Sequence, residues 1–246
     1  MKDNFSTQSS GYARFRPGYP TQLYDFLYEQ CAGFDTAWDC ATGNGQIAAA
    51  LAERFRQVEA TDISENQLKN AIQKPNIRYQ LAAAEASLFP QQSLDLITVG
   101  QAAHWFDLEK FYAEVKRVLK PGGILALVGY NLLRVDPETE AWIEHLYENI
   151  LGAQYWDPER RLVETAYQTI DFPFTEIDFP EIASEYEWTS DQLLGYLNTW
   201  SAVQHFTRVN GVPPISDALV RDLKEIWPDG VVKTVRFPIF GRVGRG

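Results

Sequence analysis

The stretch Trp38-Asp39-Cys40-Ala41-Thr42-Gly43-Asn44-Gly45-Gln46, followed by Glu59-Ala60-Thr61-Asp62, decides the fold. An apolar run ends in an acid, a Gly-x-Gly turn opens a helix-like segment, and a second apolar run ends in a second acid. An α/β sheet builds a nucleoside pocket from its first two strands with such a unit. Glycine lacks Cβ and takes φ > 0, so Gly43 and Gly45 permit a tight turn and close backbone approach to a ligand. Asp62 follows Asp39 by 23 residues, near the ~20-residue interval at which an acid on strand 2 reaches ribose hydroxyls.

Gly43-Asn44-Gly45-Gln46-Ile47-Ala48 also satisfies the dinucleotide pattern G-x-G-x-x-G/A, so the glycines alone leave NAD or FAD open. A dinucleotide sets its pyrophosphate at this turn and at the helix N-terminus behind it, where a carboxylate at Asp39 is a like charge. S-adenosylmethionine carries no phosphate. Its sulfonium and α-ammonium are favoured by acids around the turn, directly or through the loop those acids order.

The chain at this point resembles the class I S-adenosylmethionine-dependent methyltransferases. Asp39-Cys40-Ala41-Thr42-Gly43-Asn44-Gly45 is similar to the family's D-x-x-x-G-x-G loop, and Asp62 to its ribose-binding acid. Ala84-Glu85 resembles the segment that flanks the adenine, Leu94 to Val99 the fourth strand, and Arg117 to Leu125 the helix end and turn before strand 5. These motifs run in order over residues 36 to 130. The resemblance implies a doubly wound, Rossmann-like α/β sheet of seven mostly parallel strands, the last antiparallel, with helical cap insertions. It implies a cofactor site of Asp39, Ala41, Thr42, Gly43, Gly45, Asp62, Ile63, Ala84, Glu85 and Gln101, with no metal. The opening Tyr12-Ala13-Arg14-Phe15-Arg16-Pro17-Gly18-Tyr19-Pro20 resembles the arm of a subgroup that includes trans-aconitate methyltransferase-like enzymes. Such an arm is suited to close over a ligand, Arg16 pairing with the cofactor carboxylate through its planar fork and Tyr12 covering the pocket.

Composition agrees with this placement. The 246 residues are 45% hydrophobic, enough to bury a full core in one elaborated domain: an arm to residue 20, a cofactor core over 21 to 130, and a substrate cap with the last strands over 131 to 246. The 22 Lys and Arg stand against 33 Asp and Glu, a formal charge of −11, which repels phosphate backbones and disfavours nucleic acid as a partner. No apolar run approaches the roughly 18 to 20 residues that span a bilayer, and the start lacks a secretory signal, so a cytoplasmic protein with no membrane partner is expected. Cys31 and Cys40 have neither disulfide nor metal-ligand spacing, and Cys40 reads as a buried thiol in strand 1.

Periodicity places strands near 36 to 40, 57 to 61, 77 to 81, 94 to 99 and 124 to 130, and helices at 21 to 32, 46 to 55, 65 to 72 and 108 to 119. Residues 139 to 170 suggest one or two helices, 174 to 188 a strand, 191 to 200 and 216 to 227 helices, and 231 to 242 a last strand. The region after strand 5 holds Trp142, Tyr147, Tyr155, Trp156, Tyr167, Trp188, Tyr196 and Trp200, which suit either core or a ligand-lined cap.

Methyl transfer from a sulfonium needs alignment and exclusion of water, and a base only when the acceptor must lose a proton. Gly100-Gln101-Ala102-Ala103-His104-Trp105-Phe106-Asp107 follows strand 4, at the edge where such sheets bind ligands. His104 is the candidate base or orienting group, against a purely structural histidine; His205 is a second candidate, and His145 falls on a solvated helix face. This segment is not the Asn/Asp-Pro-Pro-Tyr motif of nucleic-acid amine methyltransferases, and there is no Pro-Cys pair, so a small-molecule acceptor is expected. The competing readings are an NAD-dependent oxidoreductase using Gly43, Gly45 and Ala48, and a methyltransferase-like module that binds cofactor without turnover.

Overall fold

A computed structural model of the chain describes residues 17–246. Helix α1 (Thr21–Gln30) starts behind Pro20 and buries Leu23 and Leu27, one turn apart on its inner face. Then follow β1 (Thr36–Cys40), α2 (Gln46–Leu51), β2 (Gln57–Asp62) and α3 (Glu65–Lys69). Next come β3 (Ile77–Leu81), β4 (Leu94–Gly100), a 3-10 turn (Ala103–Trp105), α4 (Leu108–Val118) and β5 (Leu119–Tyr130). Side-chain caps start α3 and α4: Ser64 accepts from the Gln67 amide and Asp107 from that of Lys110.

The second half carries α5 (Pro137–Glu144), a π-helix (His145–Leu151), α6 (Arg160–Glu164), β6 (Thr175–Ile177) and β7 (Ile182–Trp188). Helices α7 (Ser190–Leu197), α8 (Ser201–Asn210) and α9 (Asp217–Ile226) lead to β8 (Lys233–Arg245). Strand order is β3-β2-β1-β4-β5-β8-β6, with β7 also on β8. Strands β1 to β5 are parallel and β8 runs antiparallel to its neighbours. Eight strands stand where seven were expected, because β6 pairs with Val243 to Arg245 while β7 pairs with Lys233 to Ile239. The two share one position beside β8, broken near Pro180, which has no amide proton to donate to a ladder.

Other departures have local causes. The ladder of β5 begins five residues before Ile124, with a register shift where Pro121 and Gly122 turn. Helices α2 and α3 stop short of residues 55 and 72, and the 139 to 170 region is interrupted at Gly152, whose φ is 61°. Helix α8 was not expected; no side chain caps its start, although Gly211 ends it in the left-handed conformation glycine favours.

Both faces of the sheet are covered, so alternate strand residues enter different cores. Ala37, Leu96, Ile124, Ala126 and Val128 face α1, α2 and the cap helices. Trp38, Cys40, Ile97, Val99, Leu125 and Leu127 face α4 and the segment that follows α6. Among the described residues no helix is long and apolar enough to cross a membrane.

At the amino edge the buried Asp95 carboxylate accepts the amides of Asp35 (3.1 Å) and Thr36 (3.0 Å) and pairs with Lys120 at 2.8 Å. It fastens the entry of β1 to β4. Asp95→Ala removes the acceptor of both amides and leaves Lys120 only its Asp35 partner at 3.4 Å, so it should cost about 3 kcal/mol. The midpoint of thermal unfolding should fall by roughly 6–12 °C for a chain of this size; an unchanged midpoint would show that this latch contributes nothing.

Candidate functional site

The strand order reverses between β1 and β4, and the crevice at their carboxyl ends is where such sheets take ligands. Asp39, the penultimate residue of β1, is 1% exposed. Its register partner across the ladder is Thr98, so both side chains share a face, and the Thr98 hydroxyl donates to Oδ1 at 2.9 Å. Oδ2 accepts the Thr42 hydroxyl at 2.5 Å and the Ala48 amide at 3.0 Å. The Ala48 amide lies in the first turn of α2, where N–H groups lack a helical partner. One carboxylate therefore joins β1, the loop, α2 and β4.

Asp62, at the end of β2, braces the other side of the loop. It accepts the Gly43 amide at 2.9 Å and the Ser64 amide at 2.8 Å. Gly43 has φ 56°, and a Cβ built there meets no atom within 4 Å, so this face of the turn is open. Gly45 has φ 81°, and a Cβ there would collide with the Tyr79 hydroxyl, which is itself tied to the Ile72 carbonyl. Ala41 and Gln101 also take positive φ, 55° and 53°. Left-handed backbone in non-glycine residues costs of order 1–3 kcal/mol, and here it sits at the carboxyl ends of two adjacent strands.

The Ala82 amide bonds the Asp62 carbonyl at 3.0 Å, which brings the segment after β3 beside that acid. Within it Ala84 is buried, and Glu85 accepts the Asp107 amide at 3.0 Å, tying the segment to the start of α4. Ile63 is half-buried. The Gln101 side chain pairs with the backbone of Tyr130, its amide nitrogen 3.2 Å from the carbonyl and its oxygen 3.3 Å from the N–H. It prolongs the β4–β5 ladder by one side-chain rung.

His104 stands on the 3-10 turn beyond β4 with its ring against Trp105. Its Nδ1 is 2.9 Å from the hydroxyl of Tyr167, a fully buried residue 63 positions along the chain. Tyr167 and its neighbour Ala166 both have positive φ, 58° and 51°, in the turn that delivers this phenol to the histidine. Burial pushes the phenol pKa well up, opposed first by hydrogen bonds from the backbone of His104 and Ala103. The Tyr19 hydroxyl reaches the Val128 carbonyl at 3.4 Å, and its ring lies beside Gly100. Gly18 is held by Tyr186 and Ser184 of β7. Tyr12 and Arg16 lie outside the described residues.

Thr98, Tyr167 and Tyr19 belong to this site and were not singled out in the sequence. The pairing of Thr98 with Asp39 follows from strand register, but nothing local points Tyr167 toward His104. His205 bonds the Tyr155 carbonyl within the cap, and His145 is exposed beside Asn149. Cys40 is buried in β1, where burial raises its thiol pKa well above the usual value.

Residues 38–127 match a family described as a methyltransferase domain. A Dictyostelium discoideum protein named as a methyltransferase is 34% identical over 245 residues, 97% of this chain and 93% of its own. A Mycobacterium tuberculosis protein, likewise named as a methyltransferase, is 34% identical over 193 residues, covering 77% of this chain and 72% of its own. A solved structure from Anaeromyxobacter dehalogenans, described as a type II methyltransferase, superposes with a TM-score of 0.88 at 41% identity, over 94% of this chain and 98% of that one.

Burial raises the Asp39 pKa from 3.8 to about 6, against the lowering by Thr42, Thr98 and Ala48; the nearby Asp62 charge adds a smaller rise. A carboxyl whose folded pKa is raised adds stability below its unfolded pKa and loses it as pH rises through the folded one. The window is 3.8 to about 6, and the loss across it is about 3 kcal/mol at 1.36 kcal/mol per unit. Asp39→Asn lacks this titration. Denaturant unfolding at pH 4 and pH 7 should show the variant gaining on the parent by up to that amount; a constant difference would mean that Asp39 does not titrate there.

Proposed function

Since the chain belongs to the class I S-adenosylmethionine-dependent methyltransferases, we propose that it transfers a methyl group to a small-molecule acceptor by direct displacement. The observation that carries this reading is the pair of acids framing the Gly43–Gly45 turn, with an open face at Gly43. Two carboxylates at the turn suit a cation-bearing nucleoside and oppose a pyrophosphate. The donor set fits the cofactor: Asp62 would hold the ribose hydroxyls, Ile63 and Ala84 would flank the adenine, and Glu85 would border it. When bound, the cofactor supplies a methyl group already activated on a sulfonium.

The chain's own part is positioning. Asp39 fixes the loop through three hydrogen bonds and contributes negative charge beside it. Tyr167 orients the His104 ring, so that the imidazole can take a proton from an acceptor or hold the acceptor in line. Tyr19 and the backbone it touches narrow the crevice from the arm side, which favours exclusion of water. The acidic balance of −11 supports a small-molecule acceptor over a nucleic acid. The finer likeness to trans-aconitate methyltransferase-like enzymes rests on the opening arm alone.

Calorimetry with S-adenosylmethionine should give binding that Asp62→Ala weakens by roughly ten- to a hundredfold, since hydrogen bonds to a charged group contribute about 1.5–3 kcal/mol. Binding of NADH in its place, or unchanged affinity in a folded variant, would overturn the assignment. With an acceptor that loses a proton, His104→Gln should slow formation of S-adenosylhomocysteine by about 10²- to 10⁴-fold at nearly unchanged cofactor affinity. Full turnover in that variant would make His104 structural.

A further inference from the structure

Between the π-helix and α6 lies a cavity of about 420 Å³, walled by Tyr147, Ala153, Trp156, Pro158 and Arg160. The rings of Tyr147 and Trp156 lie 4.6 Å apart at 32°. The Arg160 guanidinium sits over Trp156 at 5.0 Å and beside Tyr147 at 6.0 Å. A guanidinium placed over a ring keeps its N–H donors at its own edge, where a carboxylate is met two-pronged. Among the described residues Arg160 forms no ion pair, and its one side-chain hydrogen bond runs from Nε to the Tyr147 hydroxyl at 3.4 Å. The indole N–H of Trp156 is also buried without a hydrogen-bond partner among the described residues. A buried donor left unmet costs about 1–3 kcal/mol. This unmet indole N–H, beside a half-buried guanidinium with no ion pair among the described residues, calls for a ligand that brings acceptors.

The cavity is connected to the site already described through α6. Helix α6, which carries Arg160, packs on the 3-10 turn that carries His104. Seven residues beyond Arg160 the chain delivers Tyr167 to the His104 ring, and the Arg160 charge is felt at that phenol, where it opposes the rise caused by burial. Glu148, Asp157, Arg161 and Glu164 also border the cavity, and Glu164 accepts the Tyr147 hydroxyl. Glu148, Arg161 and Glu164 are exposed, hence solvated and screened. Asp157, half-buried in the same wall, stands against the Arg160 charge and limits an occupant to a single anion.

We propose that this cavity is the acceptor-recognition site and that it takes a small monoanion on an apolar body, its oxyanion held by the Arg160 fork and the Trp156 N–H. The proposal rests on the methyl-transfer reading for the word acceptor; the cavity's preference for an oxyanion stands apart from it. Both carboxylate and phenolate are oxyanions, the first offering two oxygens to the fork and the second one, and the probes separate them.

The full chain, with and without S-adenosylhomocysteine, is titrated with 1-naphthoate, neutral 1-naphthamide and 4-nitrophenolate, and binding is read by calorimetry. At least one anion should bind ten times more tightly than the amide, and which one does so identifies the oxyanion. Arg160→Gln should lose at least tenfold, Arg160→Lys should recover part of it, and Trp156→Phe, which keeps a smaller aromatic ring and removes the donor, should lose several-fold. Circular dichroism and unchanged S-adenosylhomocysteine affinity show that each variant is folded. Equal binding of anions and amide, no binding of either anion, or full affinity in folded Arg160→Gln would overturn the proposal. Failure of S-adenosylhomocysteine to bind the parent would instead overturn the methyl-transfer reading, while the anion titrations still decide the cavity.

Discussion

A single buried carboxylate, Asp39, holds the carboxyl edge of the sheet together. Burying an ionised group is costly unless its oxygens are satisfied, and here three donors from three segments converge on it: Thr98 of β4, Thr42 of the loop, and the first-turn amide of Ala48 in α2. The loop conformation that exposes Gly43, and the left-handed Ala41 beside it, are held by those contacts. Even so, desolvation outweighs the hydrogen bonds and leaves the carboxyl easier to protonate than a solvated one. A cationic ligand would relieve that burden, so the feature that tightens the loop also selects the charge of what binds there.

The two edges of the sheet divide the labour. At the amino edge Asp95 satisfies two amides and a lysine, and one left-handed residue, Gln92 with φ 51°, stands just ahead of β4. At the carboxyl edge Ala41 and Gln101 both take strained backbone, and Tyr167 arrives from the cap through another left-handed pair. Strain persists only where surrounding structure over-determines it. The paired Gln101 amide and the buried Tyr167 phenol provide that restraint.

What the sequence made legible was local. Asp39, the two glycines and Asp62 lie within one βαβ unit, and their spacing fixes the loop, the strand pair and the crevice before any tertiary contact is known. The five parallel strands could be read because they are buried on both faces and stand as apolar runs. The broken strand of β6 and β7 was read as one, although Pro180 marked the interruption. Helix α8 escaped because no side-chain cap announces its start. Tyr167 was visible only as one aromatic among many, since its partner lies 63 residues away and the turn that aims it has no glycine.

The aromatic cap shows why composition alone could not divide core from pocket. Trp142, Trp188, Tyr196 and Trp200 are buried in the core shared with the sheet, while Tyr147 and Trp156, with the same chemistry and similar spacing, line a cavity. The difference lies in what stands over them. Around Trp188 the neighbours are Tyr186, Tyr196 and Phe237, whose rings fill the space against it. Over Trp156 stands the Arg160 guanidinium, which cannot be packed on all sides without stranding its donors. An arginine in an aromatic wall therefore keeps space open that a leucine would close, and through α6 that opening is tied to the histidine at the end of β4.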